Sequence, residues 1–156
     1  MRADARKDNM ALLLEPWIKE KIMLGAISAN VKSLEVNGDN LDLNISCERE
    51  MLDTKYTGKV RFYLGEILAK PTEAFKVRTG FDSNEKELSF LAKVSTTSIN
   101  SYAQETFNGL ITALEKNDRE TFAVLIETFD GPVEFLFSMS GFENAIEPVK
   151  AFCPAD

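Results

Sequence analysis

The segment Leu41-Asp-Leu-Asn-Ile-Ser-Cys47 alternates apolar and polar residues without a break, directly after Asn37-Gly38-Asp39-Asn40. Side chains along a strand point to opposite faces in turn, so a strict period of two reads as a half-buried strand. Asn-Gly accepts positive φ at both central positions of a tight turn, which makes it the strongest short hairpin signal. Leu34 and Val36 on the other side of the turn complete the hairpin. The same period recurs in Lys59–Leu64, where Val60, Phe62 and Leu64 share a face, and in Phe75, Val77, Thr79 and Phe81. Asp82-Ser-Asn-Glu85 turns that strand into Leu88–Val94, and Phe129-Asp-Gly-Pro132 leads into Val133, Phe135, Phe137 and Met139. Thr121–Thr128 is apolar on both faces, which predicts a central strand covered on both sides.

Three helices complete the reading. Pro16 suits a first helical turn, and Trp17, Ile18 and Ile22 fall at helical spacing, so an N-terminal helix is predicted to end near Gly25. Ser101 with Gln104 forms a capping-box pattern before a helix to Lys116, with Tyr102, Phe107, Leu110, Ile111 and Leu114 as its buried stripe. A second such box, Ser140-Gly-Phe-Glu143, opens a short helix bearing Phe142, Ala145, Ile146 and Val149, kinked or ended near Pro148. The fold class is α+β: a mostly antiparallel sheet of about seven strands, sandwich or half-barrel, with helices on one face. No repeat or linker divides the chain, so residues 1–9 read as a disordered, polar lead-in and 10–156 as a single domain.

The chain has no histidine, which removes Ser-His-Asp and Cys-His catalysis together with the commonest metal ligand. No Gly-rich phosphate loop occurs, and Asp118, Glu120 and Glu127 lack the spacing of a calcium loop. Glu48, Glu50, Glu127 and Glu134 could be paired for glycoside hydrolysis only as any acidic surface could. The expectation is a protein that is not an enzyme and needs no cofactor or metal. A net charge of −7 argues against nucleic acid, whose phosphates need a basic face. No apolar run approaches the roughly 20 residues of a membrane span, and Met10–Leu14 is too short for a signal-peptide core. The compartment is periplasmic if a signal peptide has been removed, and otherwise cytoplasmic.

Cys47 and Cys153 allow two readings: buried free thiols in a cytosolic protein, or a disulfide pinning the last helix to the sheet in an oxidising compartment. The stretches Phe122–Ile126 and Val133–Phe142, then Ala145-Ile146, Pro148-Val149 and Cys153, form a pattern, as does Leu41-x-Leu-x-Ile-x-Cys47. It resembles small exported bacterial proteins of the invasion-associated locus B type and of a type VI secretion accessory type. The resemblance covers about a third of the chain and implies an exported, non-catalytic, β-rich domain without any active-site residue.

The functional expectation is therefore a binding or accessory protein whose outward sheet face meets another protein. Arg61, Tyr63, Lys76, Arg78 and Glu134 alternate outward from the apolar sets and are the candidate contacts. One alternative is a carrier holding an apolar small ligand among Phe62, Phe75, Phe81, Phe90, Phe135 and Phe137. A second is a cytosolic inhibitor or immunity-type protein whose acidity complements a basic target.

Overall fold

In the computed structural model the described residues are 14–23, 25–36, 38–49, 56–66 and 68–153; the expected lead-in over 1–9 lies outside them. The strands are β1 (Ile18–Met23), β2 (Ala26–Lys32), β3 (Leu41–Arg49), β4 (Tyr56–Leu64), β5 (Thr72–Phe81), β6 (Asn84–Val94), β7 (Ser98–Ser101), β8 (Thr121–Thr128) and β9 (Gly131–Ser138). Helix α1 (Gln104–Lys116) lies between β7 and β8 in the chain, and α2 (Phe142–Phe152) follows β9. The nine strands form one sheet in the order β1-β2-β3-β4-β7-β6-β5-β8-β9, antiparallel at every junction.

The predicted N-terminal helix does not form; Trp17 leads into strand β1, and Gly25, at φ 88°, turns the chain into β2. Trp17 is 4% exposed and its neighbour Ile18 58% exposed, the opposition of a strand, whereas a helix would have set both on one face. The Asn-Gly hairpin forms, but its first strand is Ala26–Lys32, with Val36 and Asp39 bridging the turn itself. Strand β7 raises the count beyond the seven expected: Ser98-Ile-Asn-Ser101 is too polar and short to stand out, and pairing with β4 and β6 holds it extended. Ser101, paired with Val60 in that strand, cannot cap α1, which starts from Ala103 without a side-chain cap. Gly141 at φ 79° likewise takes the cap position expected of Ser140. Helix α2 continues through Pro148 to Phe152, giving up only the backbone bond that the ring forbids. β8 lies beside the edge strand β9 instead of in the middle of the sheet, and Leu125 on its outer face is half-buried.

The concave face of the sheet carries the core, and both helices pack on it, with Phe107, Leu110, Leu114, Phe142, Ile146 and Val149 in the same buried cluster. Rings run through it in sequence: Phe90 on Phe75, Phe75 on Phe62, Phe62 near Phe137, Phe137 stacked on Phe122, Phe122 beside Trp17, and Trp17 edge-on to Phe142. Val60, Phe62, Phe135 and Phe137 are all buried, as the alternation requires. Gly58 in β4 lets α1 sit directly on the strand, because a Cβ there would overlap the buried Phe107 ring. Gly58→Ala should therefore cost about 1–3 kcal/mol by overpacking, read as a lowered urea midpoint. An unchanged midpoint would mean that α1 is not seated where Gly58 places it.

The two ends of the sheet meet at one corner. Leu34 N–H donates to Leu136 O (2.9 Å), Trp17 Nε1 to Ser138 O (2.7 Å) and Trp17 N–H to Ser140 O (2.9 Å), so three carbonyls from β9 into the following turn are occupied. Free edge carbonyls template aggregation, and here the N-terminal segment covers them. Gly141 makes the approach possible: a Cβ would stand 3.0 Å from Trp17 O. The result is a single sheet whose ends approach one another while its edge strands are not joined by a continuous ladder.

Candidate functional site

Since the concave face is filled, side chains available to a partner are those that the alternation turns to the convex face. All five contact residues expected from sequence lie there, but the structure divides them. Lys76 and Arg78 of β5 meet Glu85 and Glu87 of β6 and Glu134 of β9: Arg78 reaches Glu85 at 2.8 Å, Glu134 at 2.9 Å and Glu87 at 3.4 Å, and Lys76 reaches Glu87 at 3.5 Å. These cations are engaged with the protein's own carboxylates, on the hairpin partner β6 and, from far along the chain, on β9. An exposed network of this kind contributes modestly and weakens with salt.

Arg61 and Tyr63 stand apart on β4, beside β7. Tyr102, in the link from β7 to α1, is 57% exposed and belongs to this face, not to the buried stripe of the helix where its spacing had put it. Two cations flank its ring, Lys59 Nζ at 5.1 Å and Arg61 Cζ at 5.7 Å from the centroid, and Arg61 Nη2 donates to the Tyr102 hydroxyl at 3.3 Å. Lys59 is in turn held by Glu48 across the β3–β4 pair. Burial works against the Arg61 charge, yet hydrogen bonding to Tyr63 and Tyr102 outweighs it and holds the guanidinium above its ordinary pKa. Arg61 is a permanent cation under any working condition.

In strand register, Arg61 continues a row across the convex face: Ile18, Asn30, Asn44, Arg61, Asn100 and Lys93 stand opposite one another in turn. Solvent-facing strand positions usually carry long charged side chains, but Asn30 and Asn44 are short, uncharged and bonded to each other, and Asn30 also donates to Ser28 Oγ at 2.9 Å. Together with Glu15, Pro16, Ile18, Lys32, Asp42 and Tyr63 they line a groove of about 580 Å³. The alternation of Asn44 and Ser46 in β3 marks them as outward in the sequence; nothing local marks Asn30 or Tyr102 as their neighbours.

Cys47, at the inner end of β3, is bonded to Cys153 just beyond α2, with their Cα atoms 5.7 Å apart and both side chains buried. Among the described residues no group of three or more Cys, Asp or Glu is placed to hold a metal ion, and no helix is long and apolar enough to cross a membrane. No protein-family model matches the chain, and no curated protein or solved structure is significantly similar to it.

Proposed function

We propose that this is a non-enzymatic accessory protein that works by contact with another protein through the convex face of its sheet, in an oxidising compartment such as the bacterial periplasm. The observation that carries the reading is the exposed Tyr102 ring with the partly buried cations Arg61 and Lys59 held beside it. Tyrosine and arginine are among the residues enriched at interface hot spots, tyrosine because it buries a large area with only two rotors and arginine because its planar fork offers directed donors. The buried disulfide supports the compartment, since such bonds persist where thiols are not kept reduced. The mutual packing of Phe62, Phe75, Phe90 and Phe137 favours contact over carriage of an apolar ligand inside the core.

A photo-crosslinking phenylalanine analogue placed at position 102 in the native host tests this. Phe129, 61% exposed in the β8–β9 turn, is the control position. One discrete adduct from position 102, absent from position 129 and lost in Arg61→Ala, is the expected result. Identical patterns at the two positions, or no adduct at 102, would reject the contact.

A further inference from the structure

The groove between Pro16-Trp17-Ile18 and Tyr63 has a different chemistry from the Tyr102 cluster, and we infer that it binds a neutral glycan. This goes beyond the protein contact and does not depend on it. The floor includes the Asn30 and Asn44 amides and, next along the same two strands, the register pair Lys32 and Asp42; Pro16, Ile18 and the Tyr63 ring offer apolar surface beside them. A volume of about 580 Å³ lies within the range of small-molecule sites, roughly 300–1,000 Å³.

Each ligand class meets this lining differently. Asn30 already spends both N–H groups on Ser28 and Glu20, but an apolar ligand would cover the remaining amide capacity of the floor, at a cost of about 1–3 kcal/mol for each group left unpaired. An anion would face Glu15 and Asp42 with only Lys32 to offset them. A sugar ring suits all parts at once. Its hydroxyls both donate and accept, as the amides do, and its C–H face covers an aromatic ring. The site is also held in shape before any ligand arrives. Trp17 is locked into the corner by its two hydrogen bonds, which fixes Pro16 and Ile18 on either side, and the floor amides brace each other. Little ordering cost remains for binding.

The test is a glycan array probed with the full chain, covering neutral and anionic oligosaccharides, followed by titration calorimetry on the best neutral binder. Binding by neutral oligosaccharides is expected, weakened roughly tenfold or more by Tyr63→Ala and by Asn44→Ala and largely kept in Tyr63→Phe, since the ring supplies the contact. Circular dichroism confirms that each variant is folded. The inference is overturned if only anionic glycans bind, if no neutral glycan binds at millimolar concentration, or if binding ignores both alanine variants. Position-102 cross-linking reads the protein contact separately, so either result can fail without the other.

Discussion

Removing the disulfide with Cys47→Ala and Cys153→Ala together should cost the protein up to about 4.7 kcal/mol in the chain-entropy model of cross-linking. The bond closes a sequence separation of 106 residues, so in the unfolded chain it restrains most of the described fold. A domain of ordinary stability has only about 5–15 kcal/mol in all. The double variant should therefore lose a large share of its stability, and reduction of the wild type should have the same effect. The measurement is the guanidinium midpoint of oxidised protein, reduced protein and double variant, with the intact mass showing two hydrogens gained on reduction. If oxidised and reduced protein unfold within about 1 kcal/mol of each other, then α2 is held by packing alone and the bond is dispensable. Hydrogen exchange adds a spatial reading: loss of the bond should first release α2, which Cys153 ties to β3.

Trp17→Ala should be the most damaging single substitution, at about 3–5 kcal/mol for loss of a buried ring. Two effects coincide there. The ring is 4% exposed and contacts both Phe122 and Phe142, and its Nε1 satisfies Ser138 O. Trp17→Phe separates them, because it keeps most of the apolar area while leaving Ser138 O unpaired, a penalty of about 1–3 kcal/mol. Thermal unfolding of both variants tests the ranking. Should Trp17→Ala melt with the wild type, the corner does not hold the ends of the sheet together. Because the backbone bond from residue 17 to Ser140 O survives the substitution, Trp17→Phe should still present Ile18 and Tyr63 to solvent.

The ion-pair cluster and the Tyr102 cluster show why residue type alone does not identify a recognition surface. Arg78 and Arg61 both alternate outward on strands, and nothing in their immediate neighbours separates them. Arg78 is satisfied by Glu85, Glu87 and Glu134, whereas Arg61 lies over a solvent-exposed tyrosine. The difference comes from which strands adjoin: β5 beside β6 and β8, and β4 beside β7.

The sequence by itself determined the period-two segments, the Asn-Gly turn, the inward set of Val60, Phe62, Phe135 and Phe137, the two later helices and the outward placement of the five polar contacts. Each of these is a local property, because alternation and turn chemistry act over a few residues and bury the same side chains in any sheet that forms. Tertiary structure decided the rest. Trp17–Met23 fits a helix by spacing and became a strand because β2 pairs with it and Ser138 and Ser140 accept from Trp17. Ser98–Ser101 became a strand because β4 and β6 lie on either side of it. The groove and the Tyr102 cluster join residues far apart in the chain, and the pairing order that brings them together is a long-range choice no short pattern contains.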